Sequence, residues 1–138
     1  MKFQGKTATV IIVNPENKIL LVKRLTPPFV GYWALPGGRS EKNESAEKTA
    51  IREAKEETGL EIKIILKVGD YHEHGIQGGY EYDYYPKCFL ARPLRGELAI
   101  QKTEIAEIHF FNLNKIPEVL AFEHAQMIRD YRSMQDLA

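Results

Sequence analysis

Cysteine is nearly absent from this 138-residue chain. The single one, Cys88, excludes an intramolecular disulfide and a cysteine-rich zinc site. Its place in a β-rich stretch marks it as a buried strand residue rather than a nucleophile. Long apolar runs are also missing. The best, Ala8 to Val13, is far too short to cross a bilayer, so no membrane partner is expected. Neither sign of charge is in excess: Lys+Arg and Asp+Glu both number 19, giving a formal net charge of zero. That balance argues against an extended nucleic-acid surface and against a polybasic membrane patch. The first residues, Met1 to Lys6, are polar and carry no signal pattern, so a cytoplasmic setting follows by default. No internal repeat, linker or low-complexity segment interrupts the chain. A hydrophobic content of 43% over this length suits one domain, 1–138, with a core of its own.

What is present is concentrated between Gly38 and Leu60, which reads GRSEKNESAEKTAIREAKEETGL. Ser45 is a natural helix N-cap, Glu47 falls in the first turn, and Gly59 stops the helix after Thr58. Glu53, Glu56 and Glu57 are then related as i, i+3 and i+4 and share a face. As a structural device this is poor. Like charges at that spacing cost about 0.2–0.5 kcal/mol per pair, and they crowd the end of the helix where the dipole is already negative. A bound cation reverses the penalty. Clustered carboxylate oxygens select a hard divalent ion such as Mg²⁺, with Mn²⁺ a substitute. Arg52 can grip a carboxylate bidentately and hold its orientation. Ala46, Ala50, Ile51 and Ala54 are the apolar side. The stretch REAKEE by itself reads as a solvated, salt-bridged helix. Gly38, Glu44 and Gly59 in register shift the balance to the metal site.

Gly38, Glu44, Arg52, Glu53, Glu56, Glu57, Gly59 and Leu60 fit the pattern G-x5-E-x7-R-E-U-x-E-E-x-G-U, where U is a bulky aliphatic; only Ala54 is off-type. The segment resembles the Nudix box, the signature of hydrolases that cleave nucleoside diphosphates linked to another moiety. The resemblance implies an α/β/α sandwich, with a mixed β-sheet between helices. It also implies a Mg²⁺-dependent pyrophosphohydrolase acting on a small nucleotide. The metal would be held by Glu53, Glu56, Glu57 and the Gly37 carbonyl. Catalysis would rest on Arg52, Glu53, Glu57 and Glu104, with Arg52 orienting Glu53 and one of the acids taking the proton. Proteins of the family are often dimers, so a homodimer is expected, although no residue here identifies an interface.

The rest of the chain supports this layout. Thr7 to Val13 and Ile19 to Arg24 read as strands around a turn, Leu60 to Val68 as another, and Tyr71–His74 with Tyr80–Leu90 as a hairpin around Gly75, Gly78 and Gly79. Pro93 to Gly96 reads as a turn, Glu107 to Leu113 as the last strand and Val119 to Met134 as an amphipathic helix. Several side chains carry two readings. Arg24 and Arg39 are phosphate-binding forks or surface cations. Tyr80 and Tyr82, alternating with Tyr84, either stack a nucleobase or form an aromatic layer under a helix. Glu104 is a catalytic base or a loop acid. His124 contacts the base or is a satisfied core histidine; MutT-type enzymes carry an amide near this position, so imidazole argues against oxidised-guanine specificity. His72 and His74 read as a surface pair.

Nucleoside triphosphates, cut to a monophosphate and pyrophosphate, rank first as substrates because WALPGG at Trp33–Gly38 is similar to the MutT type. ADP-ribose and nucleotide sugars rank second, since no proline lies between Gly59 and Pro86. Dinucleoside polyphosphates rank third. A nucleotide-sensing module without turnover is the rival from another class; the intact carboxylate set argues against it.

Overall fold

The protein was described from a computed structural model covering residues 2–100 and 102–137. The β-branched N-terminal stretch forms β1 (Lys2–Ile12), which turns at Asn14–Asn17 into β2 (Lys18–Arg24). Asn14 fixes that turn: its Oδ1 accepts from the amides of Glu16 (3.1 Å) and Lys18 (2.9 Å). Two short strands follow, β3 (Trp33–Ala34) and β4 (Gly37–Arg39), then α1 (Ala46–Thr58). Beyond it come β5 (Glu61–Asp70), β6 (Glu73–Gln77), β7 (Tyr80–Arg95), β8 (Ile105–Asn112) and α2 (His124–Asp136).

The strands form two sheets. One is five-stranded, ordered β4-β1-β7-β5 with β6 also paired to β7; the other is three-stranded, β3-β2-β8. β1 and β7 run parallel and the remaining pairs antiparallel, so the architecture is α/β with mixed pairing. Alternation along β1 divides its side chains between two cores. Ala8, Val10 and Ile12 join Leu20, Val22 and the α1 residues Ala50 and Ala54. Ile11 joins Ile19, Leu21 and the α2 residues Met127, Ile128 and Tyr131. Each helix therefore covers its own core, which is the sandwich expected from the sequence. Cys88 is fully buried in the second core.

Differences from the sequence reading are local. β7 continues through Pro93 to Arg95, because β5 pairs alongside it as far as Glu61↔Arg95. The C-terminal helix starts at His124, not Val119. The preceding segment is tied instead to β3, by Trp33 N–H to Val119 O (3.0 Å) and Ala121 N–H to Trp33 O (2.8 Å). Ile51 points outward, and Thr49 and Thr58 take buried places on α1. Their hydroxyls bond the Ser45 and Ala54 carbonyls, which makes burial tolerable.

Leu21 is fully buried beneath α2. Leu21→Ala is expected to cost about 2–5 kcal/mol of unfolding free energy, the range for deleting a large core side chain. Urea denaturation checks this; a loss below about 1 kcal/mol would contradict the packing described.

Candidate active site

Ser45 caps α1 by accepting the Lys48 amide (3.2 Å), and Gly59 ends it in the left-handed conformation (φ 82°), bonding Lys55 O. The helix is thereby set so that its acidic face meets β4. The approach is close. A Cβ on Gly38 would fall on the Glu53 carboxyl, and one on Gly37 would fall on the Ala8 carbonyl. Those glycines let the carboxylates lie directly on the strand backbone.

Arg52 organises the acids. Its Nε and Nη2 donate to the two oxygens of Glu44 (2.8 and 2.9 Å), Nη1 to Glu53 Oε2 (3.2 Å) and to Glu56 (3.2 and 3.3 Å), and Nη2 also to the Arg39 carbonyl (3.0 Å). The Arg52 hydrogen bonds, with help from the Glu41 amide and Thr49, hold Glu44 down at about 2. Glu44 is thus a fixed anion and Arg52 a fixed cation. Glu53 is buried, and its Oε1 meets Lys102 Nζ at 2.8 Å; the same ammonium lies 3.2 Å from Glu56 Oε2. Burial opposes the charge on Glu56, but Lys102 and Arg52 outweigh it and hold its carboxyl below the ordinary range. Glu57 accepts the Gly37 amide (2.9 Å). Burial pushes Glu57 up to about 8; the Gly37 amide pulls the other way, and neighbouring Glu53 adds to the rise.

This arrangement fits a divalent cation. The donors are hard oxygens, a cationic ammonium already bridges two of them, and burial pushes the third carboxyl, Glu57, upward. Among the described residues no group of three acids, histidines or cysteines stands in a liganding array. The reason is visible: both Glu56 oxygens are turned to Arg52, and one of them also faces Lys102.

A cleft of about 310 Å³ opens beside the acids. Its wall includes Glu53, Glu57, Gly37, Gly38, Arg39, Lys102 and Glu104, together with Arg24, Glu73, Tyr84, Phe122 and His124. Glu104 is exposed and lies next to Arg24, because Leu25 N–H bonds its carbonyl (2.8 Å) at the start of β8. Arg24 lines the cleft with its guanidinium anchored to the carbonyls of Pro28 (2.9 Å) and Thr26 (3.3 Å), 5.1 Å from the Phe122 ring centre. Burial lowers its pKa, partly offset by Glu57. Arg39 is exposed at the rim.

The tyrosines separate. Tyr84 lines the cleft, Tyr82 packs behind it on Phe29 and Phe122, and Tyr80 sits exposed by the β6–β7 turn against Phe3. His72 and His74 stack on each other at the surface, with His72 Nε2 2.6 Å from Asp83. His124 is buried, and its Nδ1 accepts the Leu35 amide at 3.0 Å. Burial, then Arg24, pushes it down to about 3, so it is a neutral imidazole. Sequence reasoning missed Glu73, which is 3% exposed. A lone acid within His-Glu-His on a strand carries no signal of burial. It also missed Lys102 and Phe122.

The fold and this site define a carboxylate-based hydrolase, and comparison with known proteins agrees. Residues 4–131 match the NUDIX domain, and the chain belongs to that family. It is a Nudix pyrophosphohydrolase, and enzymes of the family use divalent cations. It is 39% identical to an ADP-ribose pyrophosphatase of Methanocaldococcus jannaschii, over 87% of this chain and 69% of that one. It is 32% identical to a putative 8-oxo-dGTP diphosphatase of Bacillus subtilis, over 91% and 78%. Among solved structures it is similar to a MutT NUDIX hydrolase from Burkholderia pseudomallei, with a TM-score of 0.82, 23% identity and coverage of 92% and 97%. It also resembles the NUDIX domain of Shewanella oneidensis NrtR complexed with ADP-ribose, with a TM-score of 0.76, 25% identity and coverage of 98% and 90%.

Two buried groups in the cleft wall have opposite pH effects on stability. Burial raises Glu73 from 4.5 to about 7. The folded state therefore binds its proton first, and stability rises as pH falls through that window. His124 is lowered from 6.5 to about 3, so the unfolded state binds its proton first and stability falls as pH drops below 6.5. Between about 4.5 and 6.5 the two cancel. Glu73→Gln removes only the first. Relative to the parent, it is expected to lose up to about 1.4 kcal/mol per pH unit on acidification from 7 to 4.5. Urea denaturation across that range tests it; parallel pH profiles would contradict the assignment.

Proposed function

We propose that this protein hydrolyses the diphosphate bond of a nucleoside diphosphate derivative with Mg²⁺, ADP-ribose being the first substrate. The observation that carries the reaction is the meeting of Glu53 and Glu57 with β4 at Gly38 and Gly37, with Arg52 joining Glu53 to Glu56 beside them. The 39% relative named for ADP-ribose supports that substrate and moves it ahead of the triphosphates favoured from the sequence. A (d)NTP giving a monophosphate and pyrophosphate is the second reading, supported by the relative named for 8-oxo-dGTP. A sensing module has less support, since every box carboxylate is in place.

Glu53, Glu56, Glu57 and the Gly37 carbonyl would hold the metal. Mg²⁺ held there, or Mn²⁺ in its place, would supply positive charge to the diphosphate and make the attacking water more acidic. Arg52 fixes the angle of Glu53. Arg39 and Lys102 offer positive charge to the phosphates at the cleft rim, and Arg24 does so deeper in. Water attacks one phosphorus, and the bond from that phosphorus to the bridging oxygen breaks. ADP-ribose then gives AMP and ribose 5-phosphate. The water proton passes to Glu104, whose side chain has no partner among the described residues. Glu53 is engaged by Arg52 and Lys102, and Glu57 accepts the Gly37 amide.

Purified protein with Mg²⁺ is expected to convert ADP-ribose to AMP and ribose 5-phosphate faster than it cleaves triphosphates. Glu53→Gln and Glu57→Gln should each lose about 10³-fold in kcat/KM. Faster turnover of triphosphates would select the second reading. No cleavage of either, with Mn²⁺ also supplied, would overturn the enzymatic proposal. Glu104→Gln should lower kcat about 10²-fold with KM within about threefold, as for removal of a general base. An unchanged kcat would return the proton to Glu53 or Glu57.

A further inference from the structure

The cleft has a second buried acid whose burial the metal chemistry does not explain. Glu73 projects from β6, away from the box, and its side chain is 4% exposed. Its Oε2 accepts the Glu123 amide at 3.1 Å and lies 3.8 Å from His124 Nε2. Because His124 Nδ1 accepts the Leu35 amide, the imidazole proton is on Nε2 and faces this same oxygen. The hydrogen bond to this carboxyl is therefore on Oε2, with the imidazole beyond bonding distance of the same oxygen. The other oxygen, Oε1, has no hydrogen-bond donor among the described residues, and Glu73 lines the cleft. Among the described residues the one fully enclosed side-chain oxygen without a partner is Thr7 Oγ1, so Oε1 keeps contact with the cleft and is open to a ligand N–H.

The surroundings specify what carries that N–H. Phe122 lines the cleft with the Arg24 guanidinium 5.1 Å from its ring centre, and it is braced by Phe29 at 4.7 Å, Tyr82 at 5.4 Å and Tyr84 at 5.9 Å between centroids. Tyr84 is a second aromatic lining residue. A flat heteroaromatic ring with an amino group on its edge matches both features: the face packs on the aromatics and the edge reaches the acid. A sugar hydroxyl would satisfy Oε1 but would leave the aromatic wall without a partner. Glu53 and Glu57 line the same cleft, so one nucleotide can bring its phosphates to the box acids and its base to Glu73.

We propose that Glu73 is a specificity-determining residue whose carboxyl accepts a hydrogen bond from the exocyclic amine of an adenine ring packed against Phe122. The inference rests on the nucleotide reading above and names its base. Burial supports it further: the carboxyl, raised to about 7, gains from any donor that enters.

The test is a chemical double cycle in equilibrium binding, without turnover. Affinities of AMP and of purine riboside 5′-monophosphate, which lacks only the 6-amino group, are measured by calorimetry in a chelator for the parent, Glu73→Ala and Glu73→Gln. The parent should bind AMP about tenfold more tightly, the size of one hydrogen bond to a carboxyl. Glu73→Ala should bring the ratio to about one. Glu73→Gln keeps a carbonyl acceptor and should retain the preference within about threefold. If the alanine variant does not fold, Glu73→Met, which fills the same space without an acceptor, replaces it with the same two outcomes. Equal affinities in the parent, or a preference that persists in Glu73→Ala, would overturn the proposal. Cleavage of ADP-ribose by a parent with no amine preference would leave the hydrolase reading standing alone. An amine preference without any turnover would do the reverse.

Discussion

The site depends on the guanidinium of Arg52. Glu53, Glu56 and Glu57 crowd the last turns of α1, where mutual repulsion and the helix dipole both disfavour them. Arg52 places one rigid cation against Glu44, Glu53 and Glu56 together and anchors on the Arg39 carbonyl. Its planar fork takes both oxygens of Glu44 at once, a geometry that an ammonium cannot reproduce. Glu44 in turn accepts the Thr49 hydroxyl (2.7 Å) and the Glu41 amide (3.0 Å), so the box loop is fastened to the helix through one hydrogen-bonded network. Removing Arg52 would release loop and carboxylates together.

That clamp was legible in the sequence because the residues lie within a single short segment. Helix periodicity alone places Glu53, Glu56 and Glu57 on one face, and the cap signals at Ser45 and Gly59 mark the helix ends. The two-core arrangement was legible in outline from alternation in the strands. Long-range pairing was not. The run Pro93–Gly96 has the composition of a turn, yet Pro93 continues in β7 because the partner strand holds it. Likewise, the amphipathic pattern from Val119 was read as helix, but backbone bonds to Trp33 capture that segment first. Local preference yields wherever a neighbour from a distant part of the chain satisfies the backbone.

The wall of the cleft shows the same limit for chemistry. Glu73 and Phe122 are 49 positions apart, and neither belongs to a recognisable motif. They meet because β6 pairs with β7 and because the segment before α2 is pinned to β3, as the Glu123 amide on Glu73 records. His124 could be placed in the right region from sequence, but not its protonation. Its state follows from enclosure and from Arg24, which only the folded chain brings near.

Glu57 and Glu73 are both raised by burial, yet they call for different ligands, and the difference lies in their neighbours. Glu57 stands beside Glu53, and among the described residues its backbone donor is the Gly37 amide. A neutral N–H from a ligand would leave the adjoining negative charges uncompensated, so a cation is the efficient remedy there. Glu73 has aromatic rings, a neutral imidazole and the Glu123 amide around it, with Arg24 the nearby cation and the exposed Glu123 carboxylate the nearby anion. A divalent ion there would find too few anionic oxygens, whereas an amine on an aromatic ring meets both the acceptor and the wall. One cleft thus separates charge chemistry from base recognition by surrounding two similar carboxyls differently, and the orientation of a bound nucleotide follows from that polarity.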